Sequence, residues 1–353
     1  MKKPGHILVI RLSALGDVAM TLPVLRRVSE TYPELKFTVL TRKFFAPLFE
    51  DLPNVEVYEA DVKGRHKGLA GLKRLAGELK TKNFEAVADL HNVLRTQVLK
   101  LLFQVDGIPV KQIDKGRSEK KALTRKENKA FKQLKSTHQR YADVFTALGY
   151  PIELSGDTIP HKKALSPAVR EIAGTEPKKW LGIAPFAQHN AKMYPQDLMK
   201  EVLKMLSKNE RIKIFLFGAG EAESAVLNQW EQDFPNVVSM AGKVSFREEL
   251  ALISNLDAML SMDSGNGHLA ANYGVPVITL WGLTHPYTGF APFKQPSSNS
   301  LLPDLEQYPQ IPTSIYGNKV PDGYYDVMRS IPAERVVEKI EEILQLNRSL
   351  PSS

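Results

Sequence analysis

Residues 258–282 constrain the fold more than any other stretch of the chain. An apolar run, Ala258 to Leu260, leads into Ser261-Met-Asp-Ser-Gly-Asn-Gly-His268, where small and turn-forming residues surround Asp263. A short helix follows, and Gly274-Val-Pro276 opens a second apolar run, Val277 to Leu280. Strand, Gly-rich turn, helix and strand make a βαβ unit, and its turn leaves backbone N–H groups without acceptors at the start of a helix. Such a turn suits an anion, usually a phosphate.

The rest of the chain repeats this alternation twice. Strands are expected at Ile7–Ile10, Lys36–Leu40, Val55–Tyr58 and Ala86–Asp89, with helices over Val18–Thr31, Phe44–Glu50 and Leu69–Lys80. A helix from Ser136 to Leu148 closes this half, with Gly149 and Pro151 as its stop. Residues 150–178, interspersed with proline, read as a linker carrying one short helix. Alternation then resumes: strands at Trp180–Ala184, Lys213–Phe217 and Val237–Met240, helices over Gln196–Ser207, Ala222–Gln232 and Phe246–Asn255. Repeated β–α alternation argues for parallel sheets with helices on both faces. Residues 284–328 form a long irregular segment, a kind that is usually functional or mobile. Pro332–Leu346 is a final amphipathic helix.

At 353 residues the chain is long for one domain. Its 43% hydrophobic and 24% charged content is that of a globular protein. The absence of cysteine excludes disulfides, thiolate metal sites and cysteine nucleophiles, and fits a reducing compartment. The N-terminal lysines precede only a strand-length apolar run, interrupted by Arg11 and Asp17, so neither a signal peptide nor a membrane anchor is expected. Between Lys111 and Arg140, eleven basic residues face three acidic ones, an excess equal to the whole formal net charge of +8. That stretch is either an anion-attracting patch or a solvated face. A nucleic-acid partner is disfavoured, because no aromatic platform is interleaved with it.

Four places carry chemistry. Arg11-Leu-Ser13-Ala-Leu-Gly-Asp17 follows the first strand, where open α/β sheets bind ligands. Asp17 reads equally well as a helix N-cap or as a general base. The loop Gly182–Pro195 carries Lys192, either solvated or a point charge for a phosphate. Gly218-Ala-Gly-Glu221-Ala-Glu223 lacks the third glycine of a dinucleotide fingerprint, which argues against NAD. Glu221 and Glu223 suit ribose hydroxyls, or simply the positive end of a helix. In the fourth place, Asp263 fixes the turn or meets a sugar hydroxyl, Ser264, Gly265, Asn266 and Gly267 offer N–H groups, and His268 is a phosphate contact or a buried structural imidazole.

Taken together, three groups of residues resemble glycosyltransferase family 9, the ADP-heptose:lipopolysaccharide heptosyltransferases. They are Arg11–Val18 with Thr21-Leu-Pro23; Gly182-x-x-Pro185 with Lys192 and Tyr194-Pro195; and Asp263-Ser-Gly-x-x-His-Leu-Ala-Ala271 with Gly274-x-Pro276 and Leu280-Trp-Gly282. The resemblance covers roughly residues 5–285. It implies an α/β, GT-B fold: two Rossmann-like doubly wound domains facing a cleft. An acceptor-binding domain would span 1–160 and a nucleotide-sugar domain 161–330, and a terminal helix within 331–353 would pack back on the first domain. Asp17 is then the general base of an inverting transfer, and Lys192 with Asp263–His268 holds the donor diphosphate. Arg11, Ser13, Lys120, Lys121 and Arg125 are expected to meet the acceptor. No Asp-x-Asp pair occurs, so no metal and no cofactor is expected, and ADP-heptose enters as substrate. The implied partners are the nucleotide-sugar and a lipid-linked acidic glycan at the inner membrane surface, met by a cytoplasmic, peripheral monomer. A nucleotide-sugar epimerase and a non-catalytic nucleotide- or glycan-binding protein remain alternatives.

Overall fold

The structure is a computed structural model that describes residues 5–155 and 160–346. The first four residues, residues 156–159 of the expected linker and residues 347–353 of the expected terminal segment lie outside it. The chain divides into two compact units, Met1–Gly116 with Lys135–Thr158, and Arg117–Leu134 with Ile159–Ser353.

The first unit contains β1 (His6–Ile10), α1 (Leu15–Ala19), α2 (Thr21–Thr31), β2 (Lys36–Thr41), β3 (Val55–Glu59), α3 (Gly68–Lys80), β4 (Ala86–Asp89), α4 (Leu94–Val105) and β5 (Val110–Gln112). Its sheet runs β3-β2-β1-β4-β5, parallel throughout. Central β1 is buried on both faces, as parallel strands covered by helices must be. The helix expected over Val18–Thr31 is split at Met20. Pro23 has no N–H for the carbonyl of Ala19 and its ring crowds that turn, so the ladder restarts at Thr21. The expected Phe44–Glu50 helix is a 3-10 turn over Lys43–Phe49 with Pro47 inside it.

After β5 the chain leaves this unit. Helix α5 (Arg117–Leu123) and the residues to Leu134 belong to the second unit, whereas α6 (Thr137–Ala147), capped by the Ser136 hydroxyl, returns to the first.

The second unit continues with α7 (Pro167–Ala173), β6 (Lys179–Ala184), α8 (Gln196–Leu206), β7 (Ile212–Leu216), α9 (Glu221–Asp233), β8 (Val237–Ser239), α10 (Phe246–Asn255), β9 (Ala258–Met262), α11 (Gly265–Ala271), β10 (Val277–Leu280), β11 (Ser300–Leu301) and α12 (Ala333–Leu344). Its parallel sheet is ordered β11-β10-β9-β6-β7-β8. The residues expected to be irregular, 284–328, carry only β11 and short 3-10 turns.

Within the second unit, the terminal helix packs on its own sheet. The apolar stripe Val336, Ile340 and Leu344 enters the core of the second unit beside Met199, Leu203 and Leu206 of α8. An i, i+4, i+8 stripe requires an apolar surface, and α8 with β9 supplies it here.

In both sheets the strand order reverses once, between β1 and β4 and between β6 and β9. The loops leaving those strand ends diverge to opposite faces, which opens a crevice at the carboxyl edge where ligands of such sheets bind.

Candidate active site

At the reversal point of the first sheet, β1 delivers Arg11 and β4 delivers Asp89 and His91. The Arg11 guanidinium donates to the Leu90 carbonyl at 2.7 Å and pairs with Asp17 at 2.5 Å. Asp17 is the third residue of α1, whose N-cap is Ala14, and that cap makes no side-chain hydrogen bond. The N-cap reading of Asp17 is therefore not realised, and its carboxylate is turned to Arg11 instead. The Arg11 side chain is 8% exposed and that of Asp17 28%, so the arginine is a fixed anchor while the carboxylate still reaches solvent. The Tyr141 hydroxyl donates to the Asp17 main-chain oxygen at 3.3 Å. Ser13 is half-buried between them in sequence, joined to Ala14 by a cis peptide bond.

His91 is a residue that motif reasoning missed. Asp89, 1% exposed, accepts hydrogen bonds from the backbone N–H groups of His91 and Asn92 and from the Gln112 amide, which pins the strand end. The imidazole is buried, and its Nδ1 has no hydrogen-bond partner among the described residues. Burial, reinforced by the charges of Arg11, Lys115, Arg95 and Arg42, pushes its pKa down to about 3. The available signal was the Asp-x-His-Asn sequence directly after a strand, an Asx-turn pattern.

At the reversal point of the second sheet, two distant segments meet. Lys192, at the end of a 3-10 turn after β6, and Asp263, directly after β9, form an ion pair at 2.8 Å. Thr284 donates to the same carboxylate oxygen at 2.8 Å. The two side chains are 15% and 10% exposed. Lys192 is therefore not the solvated lysine that a loop position suggests by default. Two glycines seat it. A Cβ on Gly282 would lie 2.2 Å from the Ala191 carbonyl oxygen, and one on Gly317, whose φ is +73°, 2.5 Å from Lys192 Cγ.

Ser264, Gly265 and Asn266 are half-buried at the first turn of α11, while Gly267 and His268 are buried. The first-turn N–H groups of any helix lack intrahelical acceptors, so this turn sets hydrogen-bond donors beside the Lys192–Asp263 pair. After β7, Glu221 is exposed, whereas Glu223 accepts from the Ala219 N–H at 2.8 Å and closes its own turn. All of these residues share the carboxyl edge of one sheet.

The candidate acceptor residues divide between the units. Arg11 and Ser13 are in the first, but Lys120, Lys121 and Arg125 lie in the second. The stretch 117–134 is laid along the irregular segment 285–312. Lys120 stands 4.3 Å from the Phe290 ring centroid, and Lys129 donates to the carbonyls of Gln310 and Pro312. The Phe131 ring centroid is 5.0 Å from that of His285 and 5.1 Å from that of Tyr287. Lys121 and Arg125 stay exposed.

Burial, followed by the charge of Lys129, lowers the His285 pKa to about 4. His91 and His285 are thus neutral in the folded chain, whereas an unfolded imidazole gains its proton near pH 6.5. Below that pH the unfolded state binds more protons, so stability is full above about pH 6.5 and falls as pH drops toward the folded values. At pH 5 each histidine should remove on the order of 1–2 kcal/mol. The fall in thermal midpoint from pH 7 to pH 5 should therefore be smaller in the double variant His91→Gln/His285→Gln than in the parent. An equal fall would refute the assignment.

Comparison with known proteins supplies the remaining information. The sequence model of glycosyltransferase family 9 (heptosyltransferase) matches residues 72–315, more than half of the chain; Arg11 and Asp17 precede the matched span. A lipopolysaccharide core heptosyltransferase, OpsX of Haemophilus influenzae, is 27% identical over 291 residues, covering 80% of each chain. Among solved structures, a glycosyl transferase family 9 protein from Veillonella parvula superposes with a TM-score of 0.74 at 19% identity, covering 97% of this chain and 98% of that one. The E. coli ADP-heptose lps heptosyltransferase II gives a TM-score of 0.68 at 19% identity, covering 98% of this chain and 100% of that one.

Proposed function

Because the chain belongs to glycosyltransferase family 9, the heptosyltransferases, and is therefore a glycosyltransferase of GT-B fold, we propose that it moves a heptose or a related sugar from an ADP-sugar to a lipid-linked acidic core glycan, with inversion. The observation that carries this reading is the pair of ion-paired carboxylates at the two strand-order reversals. Asp17 is held but open, whereas Asp263 is held, closed and beside a lysine and the first turn of α11. That asymmetry suits a base in the first unit and a leaving-group site in the second. The E. coli neighbour is an ADP-heptose enzyme and the Haemophilus relative acts on the lipopolysaccharide core, which supports ADP as the donor nucleotide and a core glycan as the acceptor.

The chemistry follows from the residues. Asp17 takes the proton of an acceptor hydroxyl, whose oxygen forms a bond to the anomeric carbon from the face opposite ADP. The bond from that carbon to the diphosphate oxygen breaks, and its electron pair leaves with ADP. The sugar passes through an oxocarbenium-like transition state, as in glycoside hydrolysis. Charge accumulates on the diphosphate, where Lys192 and the amides of Gly265, Asn266 and Gly267 would count most. Asp263 holds Lys192 in place, and Glu221 would meet the ribose hydroxyls. Glu223 closes the turn from which Glu221 projects, and His268, on the first turns of α11, would add a diphosphate contact. Arg11 positions Asp17, while Ser13, Lys120, Lys121 and Arg125 would meet the acceptor. The enzyme would work as a cytoplasmic monomer, peripheral on the inner membrane.

A donor screen tests the reading. ADP-heptose, but not UDP-sugars, should raise the unfolding temperature and yield a heptosylated product by mass spectrometry of lipid extract, at a rate unchanged by EDTA. Stabilisation by UDP-sugars alone would remove the donor assignment, and loss of rate in EDTA would remove the metal-free mechanism.

A further inference from the structure

Helix α4 is apolar on the side where a surface helix should be polar. Thr96, Leu99 and Phe103 are buried against the sheet. The opposite face carries exposed Leu94, Leu101 and Val105, spaced seven and four residues apart and so aligned in one stripe, with half-buried Val98 between them packed against the core. Leu94 is 84% exposed, Leu101 64% and Val105 87%. Single exposed aliphatics need no explanation, but a contiguous row does. Neighbouring α3, which packs beside α4, adds Leu69 at 73% exposure.

The unpaired charges that the described residues of α3 and α4 add around this row are basic, and the two carboxylates are ion-paired. Lys73 and Arg74 are exposed on α3, and α4 contributes Arg95 and Lys100, the latter also donating to Gln112. Glu78 is the carboxylate of α3, and it is engaged by Tyr58, Arg65 and His66. Asp106, just after α4, pairs with Lys80. Helix α4 itself has no acidic residue.

We propose that this face of the first unit docks on an anionic lipid bilayer. The stripe from Leu94 to Val105 enters the boundary between headgroups and acyl chains, and the flanking lysines and arginines meet lipid phosphates. An apolar row with a cationic margin is the composition of interfacial helices, which sink about 5–10 Å into that boundary. A second copy of the chain fits less well. A two-fold interface sets a patch against itself, so cations would face cations. The three exposed aliphatic side chains of α4 also offer roughly a few hundred Å², short of the about 800 Å² per partner of a stable complex. The inference deepens the glycosyl-transfer reading, on whose lipid-anchored acceptor it rests: the docked face would hold the enzyme where that acceptor lies.

Vesicle co-sedimentation of the full chain, without donor or acceptor, tests it. The chain should pellet with phosphatidylglycerol-containing vesicles and stay in solution with phosphatidylcholine alone. The triple variant Leu94→Gln/Leu101→Gln/Val105→Gln should bind at least about tenfold more weakly. Lys73→Gln and Arg74→Gln should each weaken binding roughly fivefold, with added salt doing the same. Thermal midpoints should not move, because all these positions are exposed. The chain has no cysteine, so Val105→Cys accepts a single environment-sensitive fluorophore, whose emission should shift to the blue on anionic vesicles. Undiminished binding by the triple variant, or no shift from the labelled site, would overturn the proposal. So would a dimer in light scattering that the triple variant converts to monomer. The two readings fail separately, because Asp17→Asn should still bind vesicles and a chain that ignores vesicles can still transfer sugar.

Discussion

Asp17→Asn should lower turnover by about 10²–10⁴-fold, the range that a positioned general base contributes. The amide keeps the size of the carboxylate but cannot accept the acceptor's proton. Donor affinity, assigned to the second unit, should stay within about twofold of the parent, so the loss falls on kcat, as for an interaction made only in the transition state. The variant should fold, because Arg11 keeps its hydrogen bond to the Leu90 carbonyl. Single-turnover transfer with saturating donor reads the effect directly. Turnover at the parental rate would end the base assignment, whatever happened to stability.

Lys192→Ala should harm both stability and chemistry, and a second substitution separates the two. Removing the ammonium leaves Asp263, 10% exposed, with Thr284 as its remaining side-chain partner. Breaking a buried pair from one side destabilises by about 3–5 kcal/mol, because the other charge stays desolvated. Turnover should also fall about 10²–10³-fold if the lysine neutralises the departing diphosphate. In Lys192→Ala/Asp263→Asn the orphaned charge is gone, so most of the stability should return in urea titrations while turnover stays low. If turnover returned with stability, Lys192 would be a structural partner of Asp263 and not a leaving-group cation.

The sequence could be read wherever local chemistry decides the outcome. Phe246–Asn255 is a helix at the residues its period indicates, with Ser245 and Glu248 forming a capping box. Ala86–Asp89 is a strand as its apolar run requires. Helix α4 escaped detection because residues on both of its faces are apolar, which erases the 3.6-residue alternation on which such a reading depends. The destination of α12 was equally hidden: an apolar stripe states that a helix must be covered, not by which surface. The site was partly legible. Lys192 and Asp263 could each be singled out, but their pairing depends on β6 lying beside β9, which strand order alone decides. His91 comes near Arg11 only because β4 neighbours β1, again a matter of topology.

The segment 117–134 gives the molecule a particular order of assembly. Its contacts, from Lys129 to the carbonyls of Gln310 and Pro312 and from the Leu134 N–H to the Tyr287 carbonyl, are made with residues far later in the chain. At about 5–20 residues per second, a ribosome needs roughly 10–35 s to travel from that segment to its seat. Throughout that interval the nascent first unit carries an undocked cationic loop between β5 and α6. A gene split between the two sheets would leave that loop permanently without its seat, so the two halves of this chain are poor candidates for separate expression.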